Sequence, residues 1–233
     1  MKKIFLAVLI FSSFSSFAQL RFGIVGTPQI TWMKSDVKAI ETDGLRIGIA
    51  YGLNLDYSFS DNASITTGIF INNSSGKLKY SYSSSDADTI LSFEYGTEII
   101  DTLPSGVSIT YKNQYLEIPI GLKFKTNEIG LLKYYAQLGL SPMIAIGAKA
   151  KSEKPDDIDN EKFLKEVSMF AIGYHIGAGV EYNLSDNTSL LAGLVYTNGF
   201  TDVTRNPNGT KKTTNQKDKT ILNGISIKIG VLF

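Results

Sequence analysis

Apolar and polar residues alternate strictly between residues 45 and 59. The apolar set comprises Leu45, Ile47, Ile49, Tyr51, Leu53, Leu55, Tyr57 and Phe59, and the positions between them carry small or polar side chains. A period of two places the two sets on opposite faces of a strand, whereas a helix would scatter both around its circumference. The segment therefore predicts one β-strand, longer than the strands of about five or six residues that are usual in globular sheets.

The same alternation returns along the rest of the chain. It predicts clear strands over residues 115–124, 134–147, 170–184 and 225–233, and weaker strands over residues 21–33, 63–73 and 188–200. The sequence contains no run of about 18 apolar residues, which excludes a helical membrane protein. Eight strands are therefore expected.

The connections between these strands alternate in length. Long ones cover residues 34–44, 74–110, 150–168 and 201–220, and short ones lie at residues 60–62, 126–130 and 185–187. Tight turns at one end and long loops at the other are typical of an outer-membrane β-barrel, whose short turns face the periplasm. We therefore expect an all-β fold, an eight-stranded antiparallel up-and-down transmembrane β-barrel.

Side-chain size indicates which face of the strands points outward. The interior of a closed eight-stranded barrel is barely wide enough for side chains. The set that contains Gly, Ala and Ser is therefore expected inside, and the Leu, Ile and Tyr set outside, where so continuous an apolar surface needs lipid as its solvent. The alternative, a secreted barrel with apolar side chains around a ligand cavity, is disfavoured by this pattern.

Two prolines fall inside predicted strands. Pro119 and Pro142 each remove a donor from the hydrogen-bond ladder of a closed sheet. They require bulges or locally broken pairing.

The N-terminus has the organisation of an export signal. Lys2 and Lys3 form a short basic start, residues 4–11 are apolar, and small residues stand at Ser16 and Ala18, the two positions that a signal peptidase reads. The apolar stretch is too short to span a bilayer as a helix. We expect residues 1–18 to be a cleaved signal peptide and residues 19–233 to form the barrel domain.

Composition excludes several classes of function. Lys and Arg number 23 against 22 Asp and Glu, so the chain lacks the strong positive field of a nucleic-acid-binding protein. It has no Cys, which excludes disulfides, thiol nucleophiles and Cys zinc sites, and its single His excludes a multi-His metal centre. No cofactor is expected.

Three features of the chain resemble a known family. They are the glycine-rich alternating strands, the C-terminal Phe233 and the run Tyr115-Leu116-Glu117-Ile118-Pro119-Ile120-Gly121-Leu122-Lys123-Phe124. These are similar to the PorT-like outer-membrane β-barrel proteins of Bacteroidota-type bacteria, and the resemblance covers nearly the whole chain after residue 18. It implies a location in the outer membrane of a Gram-negative cell envelope, a structural or secretion-associated role, and secretion-system or surface proteins as partners. Ile229, Val231 and Phe233 also resemble the C-terminal signal that the barrel-assembly machinery reads.

Charged residues of the inward set are the main candidates for a functional site. One interpretation is a gated polar conduit or a proton-linked network, and the other is a set of ion pairs that fills a narrow lumen. The width of an eight-stranded barrel favours packing and excludes a wide pore. The candidates are Arg46, Asp56, Glu117, Lys123, Glu181 and Lys228, together with His175 on the same face.

His175 offers an enzymatic alternative. It would act as a general base toward a lumen serine, with Glu181 or Glu117 as its orienting partner, in an enzyme that modifies outer-membrane lipid. Glu181 lies six residues further along the same strand, which is about 20 Å and too far for contact. A structural histidine in a barrel without enzyme activity is therefore favoured.

The predicted loops provide surfaces for partners. One interpretation of the basic loop 201–219 is pairing with the neighbouring charged loop 151–166, and another is binding of lipopolysaccharide phosphates. Solvated loop charge is the favoured interpretation. Aromatic residues in loop 74–110 indicate a surface adhesin as a third function. Outer-membrane lipid, lipopolysaccharide and surface proteins are therefore the expected partners.

Overall fold

The computed structural model describes residues 19–36, 38, 40–81, 93–95, 98–100, 106–152, 161–162, 167–185, 187–204 and 219–233. The expected signal peptide, residues 1–18, lies outside these ranges. No helix long and apolar enough to cross a membrane occurs within them. Their regular elements are the strands β1 (Gln19–Ser35), β2 (Ile40–Thr42), β3 (Arg46–Ser60), β4 (Ala63–Tyr80), β5 (Phe93–Tyr95), β6 (Glu98–Ile100), β7 (Val107–Glu117), β8 (Ile120–Lys125), β9 (Leu132–Ser152), β10 (Glu161–Lys162), β11 (Phe170–Asn183), β12 (Ser189–Gly199) and β13 (Thr220–Leu232).

Eight strand positions close into a ring. The main sheet has 11 strands, but β7 and β8 share one position between β4 and β9, and β2 and β10 are short additions to β4 and β9. All the pairs around the ring are antiparallel, and β1 closes it by pairing with β13. The expected eight-stranded antiparallel up-and-down barrel is confirmed.

The two faces of the strands separate as the alternation predicted. In β3, Ile47 is 86% exposed whereas Asp56 is fully buried. A large apolar side chain is exposed on the outer face at each of the eight positions, for example Ile24, Leu53, Ile69, Ile120, Leu138, Ile176, Leu194 and Ile227. A continuous apolar exterior of this kind matches the lipid-facing band of a transmembrane barrel.

Glycines make room inside the barrel for two large rings. A Cβ atom on Gly193 would lie 2.2 Å from the Tyr135 hydroxyl, and a Cβ atom on Gly139 would lie 2.8 Å from His175 Cε1. Gly121 lies against the same imidazole. The inward glycines therefore allow the rings of Tyr135 and His175 to cross a narrow interior.

Strands β4 and β7 extend beyond their predicted ends. Their pairing continues from Ser74↔Asn113 to Tyr80↔Val107, and β5 and β6 pair with each other further along the same connection. The expected loop 74–110 was therefore wrong at both ends. Leu78 and Ile109 point inward and belong to a cluster of buried apolar residues. In β4, where residues 74–79 are mainly polar, this tertiary packing supports the strand.

The two prolines lie at one interruption of the barrel wall. β7 ends at Glu117 and β8 begins at Ile120, and between them the Ile118 N–H donates to the Pro142 carbonyl at 3.0 Å. Pro142 has no N–H to return this bond, and Pro119 has none to offer on the β4 side. The expected break in pairing is confirmed, because both missing donors fall at the same place.

Candidate functional site

The two ends of the barrel differ in their connections. The turns between β3 and β4, between β8 and β9, and between β11 and β12 lie at one end and are short. This end is the periplasmic end in outer-membrane barrels, and the opposite end, which carries the longer connections, is the extracellular end. The lumen between them holds six of the seven candidates that the sequence singled out, and Arg46 lies apart from them near the extracellular end.

Lys123 joins two carboxylates near the periplasmic end of the lumen. Its Nζ lies 2.8 Å from Asp56 Oδ2 and also contacts Glu181 Oε1, and all three side chains are buried. Arg21 Nη1 donates to Glu181 Oε2 at 2.8 Å. Two cations and two carboxylates from β1, β3, β8 and β11 thus form one balanced ion network, named here the ion cluster.

Strand register brings the ion cluster together. Arg21 and Asp56 are cross-strand partners in the β1–β3 ladder. Lys123 and Glu181 each stand two residues before the end of their strand. All four side chains therefore meet at one level of the lumen. Opposite charges that are excluded from water stabilise the fold only when each is paired, and this arrangement meets that condition.

An amide, a further lysine and an aromatic ring extend the ion cluster. Asn54 Nδ2 donates to Asp56 Oδ1 at 2.8 Å, and Lys228 Nζ donates to Asn54 Oδ1 at 3.0 Å. Lys123 Nζ lies 4.6 Å from the ring centroid of Tyr135, within cation–π distance. The cluster consequently blocks the lumen at this level with side chains that hold one another in place.

Glu117 and His175 make separate contacts in the middle of the lumen. Asn72 Nδ2 donates to Glu117 Oε2 at 2.7 Å, and Gln29 Nε2 donates to Asn72 Oδ1 at 2.7 Å. Ser141 Oγ lies 3.0 Å from His175 Nδ1, and both of these side chains are buried. A serine beside a histidine is the arrangement of a nucleophile and its general base, which a third group orients in known enzymes.

The two glutamates considered as orienting partners of His175 are engaged elsewhere. Glu181 is held by the ion cluster, and Glu117 is bonded to Asn72. A cavity of about 80 Å³ lies between His175, Glu117 and Lys228. In the part of the chain that the structure describes, no group of three or more His, Asp or Glu side chains could hold a metal ion.

Arg46 lies apart from the other candidates. Its Nη2 donates at 3.3 Å to Thr110 Oγ1, near the extracellular end of β7. The seven predicted candidates therefore divide into the ion cluster with Lys228, the two mid-lumen contacts, and Arg46 near the extracellular end.

Apolar side chains fill the extracellular half of the lumen. They form one buried cluster, named here the apolar cluster, which contains Met33, Leu78, Val107, Ile109, Tyr111, Tyr115, Met143, Ala145, Ala148, Ala150, Val167, Ala171, Val203 and Leu222. The sequence reasoning missed this cluster, because it assigned small and polar residues to the inside. Inward positions of β7 already carry Ile109, Tyr111 and Tyr115, which is the signal that could have revealed it.

The sequence reasoning also missed Arg21, Asn54 and Ser141 as members of the lumen contacts. Arg21 lies on the same face of its strand as Gly23 and Val25, because side chains alternate with a period of two. The alternation in this strand is weak, but it could have placed the Arg21 side chain inside the barrel. The partners of Asn54 and Ser141 depend on register between strands, which alternation within one strand does not contain.

Several predicted surfaces lie wholly or partly outside the described residues. Of the basic loop 201–219, residues 205–218 are not described. In loop 74–110, Tyr82 is outside the described ranges, and only the backbone of Phe93 and Tyr95 is described. Ile229 and Phe233 of the predicted C-terminal signal stand on the outer face, each about half exposed.

Comparison with known proteins finds one matching family and several similar solved structures. The sequence profile of the outer membrane protein beta-barrel domain matches residues 11–205. Curated protein sequences give no match. Similar solved structures include Neisserial surface protein A (13% identity, 92% of this chain and 97% of that chain covered, TM-score 0.47) and OprG from Pseudomonas aeruginosa (14% identity, 91% and 95% covered, TM-score 0.46). Ail of Yersinia pestis is 15% identical, with 92% and 98% covered and a TM-score of 0.42.

Proposed function

Because this chain belongs to the outer membrane protein beta-barrel domain family, we propose that it is a sealed, non-enzymatic structural barrel of the outer membrane. The observation that carries the proposal is the filled lumen. Lys123 and Glu181 are buried in the ion cluster, and Tyr115 is buried in the apolar cluster above it. Two layers of different chemistry therefore close the same path.

The space left between these layers is small. The mid-lumen cavity of about 80 Å³ has room for several water molecules, and it lies between the two layers. A conduit needs a continuous file of water or solute from end to end. A barrel filled in this way instead supports its extracellular strands and loops.

Electrical recording from planar lipid bilayers tests the sealed lumen. We expect the full barrel to insert without discrete conductance steps at neutral pH. A double variant, Tyr115→Ala with Tyr135→Ala, removes one buried ring from each half of the lumen and serves as the positive control, since it should raise the conductance. Discrete steps from the unmodified protein, at the same protein density, would contradict the proposal.

The Ser141–His175 contact favours one second candidate, an enzyme that modifies outer-membrane lipid. The hydrogen-bond distance of 3.0 Å suits a nucleophile and its base. Both groups face the interior and are buried, so an acyl chain outside the barrel does not meet them. The non-enzymatic function is therefore preferred.

Lipid analysis of cells that carry Ser141→Ala or His175→Ala separates these two functions. A structural barrel predicts the same lipid A acylation pattern for both variants and for the unmodified protein. A change in acyl-chain number that appears in both variants would establish the enzyme. Assembled barrel must be quantified alongside, so that lost folding is not mistaken for lost activity.

Export and assembly complete the proposal. We propose that residues 1–18 are removed, that Ile229, Val231 and Phe233 are read by the barrel-assembly machinery, and that the assembled barrel supports secretion through its extracellular end. The exposed outer-face positions of Ile229 and Phe233 support the second step, because an assembly factor can reach them before lipid does. Phe233→Ala should lower the amount of assembled barrel, and a deletion strain should show an altered profile of secreted proteins.

A further inference from the structure

The mid-lumen cavity has a polar lining that is built by the whole ring of strands. Each of the eight strand positions contributes to the lining, from Thr27 and Gln29 on β1 to Ser226 and Lys228 on β13. The ion cluster lies on its periplasmic side and the apolar cluster on its extracellular side. The wall at this level is therefore formed by strands that the structure describes all the way round.

Two buried side chains of this lining have hydrogen-bonding capacity to spare. Gln137 is 4% exposed, and its Oε1 is buried with no hydrogen-bond partner among the described groups. Lys228 Nζ donates to Asn54 Oδ1 at 3.0 Å, and one such bond uses only one of the three donors of an ammonium group. A buried acceptor without a partner costs free energy. The cavity therefore suits a ligand that donates to Gln137 and accepts from Lys228.

The charges around the cavity are balanced, which favours a neutral ligand. With His175 uncharged, the lining carries one cation, Lys228, and one carboxylate, Glu117. The ion cluster beside it pairs two cations with two carboxylates. A bound ion would add an uncompensated charge to this interior, and such a charge is costly.

The break in the barrel wall lies at the level of the same cavity. The ladders of β4 with β7 and with β8 share one register, which places Gly68 opposite Pro119, and Pro142 accepts from the Ile118 N–H. Because neither proline has an N–H, the carbonyls of Gly68 and Ile118 lack the partner that a regular antiparallel ladder supplies. Inside a bilayer such groups must be satisfied within the protein. Pro119 itself lines the mid-lumen cavity, so the missing donors can come from there.

We propose that the mid-lumen cavity binds a cluster of ordered water molecules as a permanent part of the barrel. These waters accept from Lys228 Nζ and donate to Gln137 Oε1 and to the carbonyls of Gly68 and Ile118. Water is neutral, donates and accepts, and fits a polar cavity in which each molecule finds two to four partners. The water cluster thus completes hydrogen bonds in the lumen and in the wall at once, and it is independent of whether the lumen conducts.

Radiolytic footprinting of the full barrel in lipid vesicles tests the site by comparing two valines. Hydroxyl radicals that form from bound water oxidise the side chains next to it. Val195 lines the mid-lumen cavity, whereas Val25 is buried in an apolar cluster with Leu191 and Leu232. Both valines are more than nine-tenths buried, at 8% and 1% exposure. We expect Val195 to be oxidised several-fold faster than Val25.

Variants that fill the cavity show whether its water is responsible. Ala50 lines the cavity, so Ala50→Leu places an apolar side chain where the water lies and should lower the oxidation of Val195 to the rate of Val25. Ala192→Leu, the matched control, makes the same substitution at an exposed position of β12 and should leave the rate unchanged. If Ala50→Leu fails to fold, Gln137→Met removes the unpartnered acceptor at similar length and should lower the oxidation of Val195 several-fold.

Three results would overturn the proposal. Equal oxidation of Val195 and Val25 in the unmodified protein would mean that the cavity is dry or that water penetrates the whole interior. Unchanged oxidation of Val195 in a folded Ala50→Leu barrel would place the water elsewhere. A small organic molecule released in stoichiometric amount when the barrel is unfolded would show that the ligand of the cavity is not water.

Discussion

The two halves of the lumen are filled by opposite means. The periplasmic half is closed by the ion cluster, in which Lys123 contacts Asp56 and Glu181. The extracellular half is closed by the apolar cluster around Leu78 and Tyr115. Both are built on the same alternation of inward and outward residues, so alternation determines where a side chain points but not what fills the interior.

The two fillings differ in how they respond to change. A buried ion needs particular partners at particular distances, and removing one partner leaves an uncompensated charge. An apolar side chain needs only volume, and neighbouring groups can shift to recover part of a loss. Substitutions are therefore expected to cost more in the ion cluster than in the apolar cluster.

The largest effect is expected for Lys123→Met. The variant keeps the approximate volume but leaves Asp56 and Glu181 without their shared cation, and it should lower the free energy of unfolding by about 3–5 kcal/mol. Adding Asp56→Asn should recover part of this loss, because it removes the carboxylate that has lost its cation, whereas Glu181 keeps its ion pair with Arg21. Urea unfolding from lipid vesicles, followed by fluorescence of the single tryptophan, Trp32, measures both variants.

Lys133→Met is the matched control for Lys123→Met. Lys133 forms an ion pair with Glu128 at 3.3 Å near a periplasmic turn, where both side chains are partly exposed. Its loss should cost less than about 1 kcal/mol. Equal losses for the two variants would mean that the ion cluster is hydrated and contributes no more than a surface pair.

Leu78→Ala tests the apolar half. Leu78 is buried among the apolar side chains of β4, β7 and the neighbouring strands, and its truncation should lower the free energy of unfolding by about 2–4 kcal/mol. Leu78→Met keeps the volume and should cost less than about 1.5 kcal/mol. If both variants behave alike in the vesicle unfolding experiment, the extracellular half is loosely packed and the contrast between the halves is smaller than proposed.

Gly193→Ala tests the space that glycine leaves for Tyr135. The new methyl group would lie 2.2 Å from the Tyr135 hydroxyl, and the resulting displacement should cost about 1–3 kcal/mol. Gly26→Ala is the matched control, since no atom lies within 4 Å of its added Cβ. Combining Gly193→Ala with Tyr135→Leu should relieve the clash, whereas equal stability of the two single variants would mean that Tyr135 moves freely.

The fold was largely predictable because a closed barrel depends on one strong pattern. Strict alternation in β3, β9 and β11 identified both the strands and their outward faces. The extracellular end of β4 was not predictable, since Ser74, Ser75 and Gly76 have weak strand preference. Those residues are held as strand by packing inside the barrel and by pairing with β7.

The candidate site was predictable only in part. Alternation placed Asp56, Lys123 and Glu181 on the inner face, but the contact between Arg21 and Glu181 joins residues separated by 160 positions. Such a contact depends on how eight strands are staggered around the ring, and no local pattern encodes that stagger.

The smallest effect is expected at the extracellular rim, outside both fillings of the lumen. Asp43 lies 2.8 Å from Lys77 Nζ, and Ser108 Oγ donates to it at 2.5 Å. The hydrogen bond from Lys77, followed by that from Ser108, lowers the pKa of Asp43 below its ordinary value of 3.8. Asp43→Asn should therefore cost less than about 1 kcal/mol at neutral pH, because the pair is partly exposed and screened by salt.

The pH dependence of this small effect identifies its origin. A carboxylate with a lowered pKa in the folded protein contributes stability above its unfolded pKa of about 3.9, and this contribution disappears as the pH falls through the folded pKa. The difference in stability between the unmodified protein and Asp43→Asn should be full at pH 6 and should shrink as the pH falls below about 4. A difference that stays constant over that range would assign the effect to packing of the side chain. It would then show that the rim, like the extracellular half beneath it, depends on volume more than on charge.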